Sequence, residues 1–179
     1  MNIWWIRRDL RLADNPALAA TLAAGGGVLP AFILDDALLS KPAENRQGFL
    51  FAGLRALDDD LRRLGSRLIV RRGDPQVEIP RLAREVSAVS VFAEADVSPY
   101  ARQRDAAVAA QVNLRLVHGL GGHPAGAVTR PDGGPYTVFT PYSRAWLALP
   151  APGQPLPAPA ALPPVPDVSS EAVPDLPAP

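Results

Sequence analysis

Apolar and polar positions alternate on two scales along the first 149 residues. Five short runs are mostly apolar and rich in β-branched or aromatic side chains: NIWWIR (2–7), VLPAFIL (28–34), RLIVR (67–71), VSVFAE (89–94) and VNLRLV (112–117). Runs of this kind suit strands buried on both faces, as in a parallel sheet. Between them, apolar positions recur at helical spacing. The clearest case is NRQGFLFAGLRALDDDLRRLG (45–65), where Leu50, Leu54, Leu57, Leu61 and Leu64 form one stripe with 4-3-4-3 spacing. Gly65 follows as the expected C-terminal stop.

The other helix starts are marked by capping chemistry. Asp14 or Asn15 caps a helix that Pro16 begins and Gly25 to Gly27 end. Asp74-Pro75 and Ser98-Pro99 repeat the arrangement. Pro80 falls in the second turn of the helix after Asp74, which predicts that this helix starts late or is irregular. The order is βαβαβαβαβ, ending near Val117. It predicts an α/β fold: a Rossmann-like, doubly wound, five-stranded parallel sheet with helices on both faces and Trp4 to Ile6 in the central strand. Ligands of such sheets bind outside the strand C-termini, where the strand order reverses. That directs attention to the loops Arg7–Asn15, Leu34–Arg46, Arg71–Asp74 and Glu94–Tyr100.

Composition divides the chain in two. Residues 150–179 hold 11 of the 21 prolines and no helical or strand period, so they read as an extended linker or tail behind a domain at 1–149. Residues 1–149 carry 18 basic and 15 acidic groups, a net of +3, and the tail a net of −3 from Asp167, Glu171 and Asp175. A body so weakly basic does not by itself imply nucleic-acid binding. Of the basic residues, 17 are Arg and one is Lys, which fits geometrically fixed ion pairs and fits a GC-rich gene equally well. Without cysteine, disulfides, thiol chemistry and cysteine-ligated metals are excluded. The N-terminus lacks a secretory pattern and no apolar run reaches the ~18 residues of a membrane span, so a cytoplasmic chain is expected.

Common catalytic signatures are missing. There is no GxGxxG after the first strand, no GxxxxGK[ST] and no GxSxG elbow. His118 and His123 lie in HGLGGHPAG without a neighbouring carboxylate or cysteine, a poor metal set. The first loop is the more specific feature. Arg7, Arg8, Asp9 and Arg11 follow directly on a buried strand, where unpaired charge is costly. Arg8, Asp9 and Arg11 are candidates either for a ligand clamp or for a structural salt-bridge knot.

These residues also carry a resemblance. WWIRRDLRLADNPAL is similar to the opening signature of the photolyase/cryptochrome family. Further blocks follow in family order: VLPAFILDDALL, FLFAGLRALDDDLRRLGSRLIVRRGDP, DVSPYARQRDAAV and GGPYTVFTPYSRAW. Together they cover Asn2 to about Trp146 and identify the chain as a member.

The resemblance implies the family's N-terminal α/β domain, which holds an antenna chromophore. In full-length members a helical domain follows, with FAD, the damaged-DNA pocket and a tryptophan chain for electron transfer. This sequence stops where that domain would begin, so no catalytic residue carries over and FAD is expected only in the missing domain. The antenna site carries over in part, onto Phe32, Leu34 and Asp35, then Arg46 and Leu50, then Asp96. The apolar residues suit the walls of a planar ring, Arg46 its carbonyls, and the two aspartates its N–H and hydroxyl groups.

The implied ligand is 8-hydroxydeazaflavin or FMN, since a folate antenna depends more on the interdomain cleft. Plain structural roles stay open for five of the six residues: core for the leucines, turn caps for the aspartates, a solvated helix position for Arg46. Implied partners are a separate FAD-domain subunit or the missing C-terminal domain. The family comparison shifts Arg8, Asp9 and Arg11 toward structural pairing or domain docking. DNA contact through Arg71, Arg72, Arg102, Arg104 and Arg130 is expected to be weak and salt-sensitive at most. The alternative readings are an interaction module, a cryptochrome-type photoreceptor fragment and a generic nucleotide binder, the last opposed by the missing phosphate loop.

Overall fold

A computed structural model describes residues 1–40 and 44–175. The elements are β1 (Asn2–Ile6), α1 (Pro16–Ala23), β2 (Val28–Leu34), α2 (Asp36–Leu39), α3 (Glu44–Arg63), β3 (Ile69–Arg72), α4 (Pro75–Glu85), β4 (Ser90–Glu94), α5 (Pro99–Ala109), β5 (Leu114–Val117) and α6 (Phe139–Leu147). The strands form one parallel sheet in the order β3-β2-β1-β4-β5. β1 is central. The chain moves outward from it to β3, then returns to its other side at β4, so the order reverses between β1 and β4.

The near-continuous apolar run of β1 is explained by burial on both sides. Trp4 and Ile6 face one core with Leu18 of α1 and Leu54, Leu57 and Leu61 of α3. Ile3 and Trp5 face the other, with Ile79 and Leu82 of α4 and Val108 of α5. Strand side chains alternate between faces, so adjacent tryptophans serve different cores. Each is essentially without solvent contact.

Local chemistry sets the helix ends. Asn15, not Asp14, caps α1: its Oδ1 accepts from the Leu18 amide at 2.8 Å. Asp14 precedes it in a left-handed conformation, φ +49°. The stripe on α3 is seated as expected, with Leu50 and Leu64 only partly buried. Gly65, φ +89°, closes that helix in a Schellman arrangement, with Gly65 N donating to Arg62 O and Ser66 N to Leu61 O.

One expectation about α4 is corrected. The helix begins at Pro75 with Asp74 as its cap, and Pro80 lies buried inside it. A proline there leaves the carbonyl four residues earlier without its amide donor. That carbonyl, Gln76 O, instead accepts from Gln111 Nε2 at 3.0 Å, just beyond the end of α5. The neighbouring helix thus supplies the bond that Pro80 removes.

The proline-rich tail has no helix or strand over 150–175, as its composition predicts, but it lies against the body. Leu162 and Val168 are buried, one in each core. Leu162 N donates to Leu64 O, and Glu171 N to Val70 O. Val70 N in turn donates to Ser170 Oγ at 2.9 Å. The tail thereby satisfies backbone groups on the outer edge of β3, which would otherwise invite pairing with another chain. Among the described residues, no helix is long and apolar enough to cross a membrane.

Candidate functional site

A pocket of about 260 Å³ opens at the C-terminal ends of β1 and β2, close to where the strand order reverses. Ile6, Phe32, Ile33, Leu38 and Pro75 supply its apolar wall, Trp5 lies at its base, and Arg8, Asp35, Asp96, Ser98, Tyr100 and Arg104 bring polar groups. α4 and α5 both start at its rim, which is why capping residues and N-terminal prolines crowd around it.

Three of the six residues proposed from the sequence meet here: Phe32, Asp35 and Asp96. The others do not. Leu34 is 1% exposed and packs into the core beneath α3 that Phe32 also borders. Leu50 packs half-buried against that core. Arg46 is exposed in the first turn of α3. None of these three lines the pocket.

Asp35 has two tasks. One oxygen caps α2 by accepting from Ala37 N at 3.0 Å, and the other accepts the Tyr100 hydroxyl. That bond ties the end of β2 to α5 across the pocket mouth. Burial, then the hydrogen bond and negative charge of Asp35, push the Tyr100 phenol up to about 12. Asp96 accepts from Ser98 N at 2.9 Å and faces Arg8 at 3.5 Å. Burial alone would raise its carboxyl; the hydrogen bonds from Ser98 and the charge of Arg8 outweigh this and lower it.

Beneath the pocket lies a buried ion cluster. Asp105 Oδ1 accepts from Arg7 Nη1 at 2.6 Å and from Arg104 Nε at 2.9 Å. All three side chains are less than one-tenth exposed. Two guanidiniums against one carboxylate leave a net positive charge. Burial, then repulsion from Arg104, lower the Arg7 guanidinium from its ordinary value, against the opposing pull of Asp105. Arg104 Nη2 lies 2.9 Å from the same oxygen but out of hydrogen-bond alignment, so it is buried with no hydrogen-bond partner. Both guanidiniums rest on Trp5, with their central carbons 4.7 and 4.9 Å from the ring centroid.

The first-loop charges do not pair with one another through their side chains. Asp9 is fully buried and braces the turn, accepting from Arg7 N and from Asn15 Nδ2, both at 3.1 Å. Arg11 binds Asp14 O and, at 3.0 Å, Gly119 O. Arg8 is mostly exposed and reaches Asp96. The reason is geometric: the loop turns sharply after β1 and sends successive side chains in different directions. The first-loop charge buried beneath the pocket is Arg7, whose partner Asp105 lies 98 positions away.

Sequence reasoning also missed Tyr100 and Arg104 as pocket residues. Their spacing of four on α5 was a usable signal, since i and i+4 share a helix face. Two of the arginines considered for DNA phosphates are committed elsewhere. Arg104 is buried against Asp105, and Arg71 is buried against Glu85 at 2.7 Å. Arg72 pairs with Asp36, and Arg130 with Asp132.

Arg8 and Asp96 also border a second depression of about 280 Å³, lined by His118, Gly119, Leu120 and His123. His123 packs edge-on against Trp146, with ring centroids 5.1 Å apart. Among the described residues, no group of three or more His, Cys, Asp or Glu could hold a metal ion.

Comparisons with known proteins agree with this architecture. A family model described as DNA photolyase matches residues 2–161. An uncharacterised 31.6 kDa protein of Synechococcus is 41% identical, covering 84% of this chain and 55% of that protein. A deoxyribodipyrimidine photo-lyase from another Synechococcus strain is 35% identical over 84% of this chain and 32% of its own length. Among solved structures, a bacterial class III photolyase from Agrobacterium tumefaciens superimposes with a TM-score of 0.84 at 31% identity, covering 96% of this chain and 37% of that one. The chain thus spans about a fifth to a half of the length of the relatives it matches.

Proposed function

This chain belongs to the DNA photolyase family, and from that premise we propose that its α/β domain binds an antenna chromophore, 8-hydroxydeazaflavin or FMN, in the pocket beside β1. The family binds flavin and antenna chromophores. When bound, such a ring supplies absorption of near-ultraviolet or blue light and passes the excitation to a second flavin.

The observation that carries the reading is the pocket itself. Apolar walls with a few directed polar groups are what a planar heteroaromatic ring requires. Asp96 and Ser98 offer acceptors for an N–H or a ribityl hydroxyl. A volume near 260 Å³ falls just below the ~300–1,000 Å³ common for small-molecule sites, which suits one ring system with its tail outside.

The test is titration of the purified chain with FMN and with 8-hydroxydeazaflavin, followed by fluorescence anisotropy. Saturable binding that Asp96→Ala and Ile33→Trp both weaken is expected. A chain that takes up neither ligand refutes the assignment.

A second reading has its own observation. α6 buries no residue; Phe139 and Leu147 on it are 78% and 74% exposed, and Val138 at its N-cap 61%. An apolar helix face of this kind fits docking on an FAD-binding helical domain, in the same chain or in a separate subunit. Co-purification with such a subunit, abolished by Phe139→Asp, is the expected result. Light-driven repair of pyrimidine dimers would belong to that assembly, with this domain gathering light.

A further inference from the structure

We propose that Arg104, with Arg7, protects the excited chromophore from electron-transfer quenching by the aromatic residues of its own pocket. The inference rests on the antenna reading. An antenna is useful only while its excited state survives long enough to pass energy on. Indole and phenol rings are ready one-electron donors to an excited flavin-type ring. One electron moves from the aromatic side chain to the excited ring and then returns, so nothing is consumed and the light energy is lost as heat.

This pocket has two such donors, Tyr100 at its mouth and the buried Trp5 against its inner wall. Tyr100 is set up for oxidation in particular. Its hydroxyl already donates to Asp35, which can take the phenol proton as the electron leaves. A pocket with these residues and no countermeasure would quench its ligand.

The countermeasure is charge placement. Removing an electron from Trp5 creates a cation in a ring that is 1% exposed and out of reach of solvent screening. The two guanidinium carbons stand 4.7 and 4.9 Å from that ring's centroid. Arg104 also stands 5.6 Å from the centroid of Tyr100, so one guanidinium touches both donors. In the ground state the contact is attractive, because the ring face is negative. Once an electron is lost the same contact becomes repulsive, and strongly so in a medium that screens poorly. Asp105 holds both guanidiniums through one oxygen and leaves the group with a net positive charge. A purely structural ion cluster would not need to lie on both electron donors of the pocket.

The experiment uses the full chain saturated with FMN, with binding first established by anisotropy and the bound lifetime then read by time-resolved fluorescence. Arg104→Met keeps much of the bulk and removes the charge. Its bound FMN is expected to quench about tenfold faster than in wild type, since a unit charge at this distance outweighs a tenfold Boltzmann factor even at moderate screening. Arg104→Lys should stay close to wild type. Adding Trp5→Phe and Tyr100→Phe to Arg104→Met should restore the long lifetime. If Arg104→Met fails to fold or bind, Arg7→Met removes the other charge beside Trp5 and should shorten the lifetime in the same direction.

An unchanged or longer lifetime in the charge-removing variant, with FMN bound, overturns the inference and leaves the antenna reading standing. Absence of saturable FMN and deazaflavin binding in wild type overturns both.

Discussion

Asp105→Asn isolates the electrostatics beneath the pocket. The substitution keeps the shape of the side chain and removes the only carboxylate that Arg7 and Arg104 share. At 2.6 and 2.9 Å, each guanidinium gains roughly 6 kcal/mol of gross attraction for an effective dielectric near 20. Desolvation cancels most of that. The measurable loss is the cost of leaving buried charge without a counterion, about 3–5 kcal/mol. For a chain of this size the midpoint of thermal unfolding should fall by roughly 6–20 °C.

Urea unfolding followed by tryptophan fluorescence is the assay, since Trp5 lies against both guanidiniums. Arg104→Met is the internal comparison: it leaves Arg7 and Asp105 as a neutral pair and should cost distinctly less. The reasoning fails if Asp105→Asn stays within ~1 kcal/mol of wild type, or if it is the milder of the two variants.

Three further outcomes follow from other parts of the fold. Tyr100 is held above its ordinary value, so its bond to Asp35 contributes stability that is complete below pH 10 and lost as pH rises through about 12; alkaline titration of tyrosinate absorbance should show one late step near pH 12 that Tyr100→Phe removes. Glu94 is 1% exposed with one unpartnered oxygen, and burial raises its carboxyl. Its stabilising contribution is therefore present below the ordinary glutamate range and lost as pH rises through the raised value, so Glu94→Gln should be more stable than wild type at pH 7 by about 1 kcal/mol, with the gap closing toward pH 4 in paired urea melts. Ending the chain at Leu149 removes the buried Leu162 and Val168 and uncovers the edge of β3; a loss of about 3–5 kcal/mol and concentration-dependent association in light scattering are expected, and unchanged stability without association would contradict the tail's covering of β3.

The candidate site was only half legible in the sequence. Asp35 and Asp96 came from the family resemblance, which put the site on the loops after β2 and β4, and both line the pocket there. Leu34 and Leu50 carried no local sign of which core they would fill. Arg46 was assigned to ring carbonyls by the same resemblance, and the first turn of α3 leaves it exposed. Arg8, Asp9 and Arg11 looked like one cluster because they are adjacent in sequence. A turn after β1 separated them: Asp9 is buried as a brace of that turn, and the charge buried beneath the pocket is Arg7.

What the amino-acid order determined by itself is therefore the local layer. Apolar runs, capping residues and the leucine stripe depend on neighbours within a turn or a strand, so they placed five strands, the main helices and a parallel sheet. Proline content also set the extended conformation of the tail. The tertiary structure decided what depends on distant pairings. It joined Tyr100 to Asp35, 65 positions apart, and Arg7 to Asp105, 98 apart. It used Gln111 to satisfy the carbonyl that Pro80 left open, and it folded the tail back over β3. The physical reason is that a buried charge or an orphaned carbonyl demands a partner, but only the packing of the sheet and its helices determines which residue is near enough to answer.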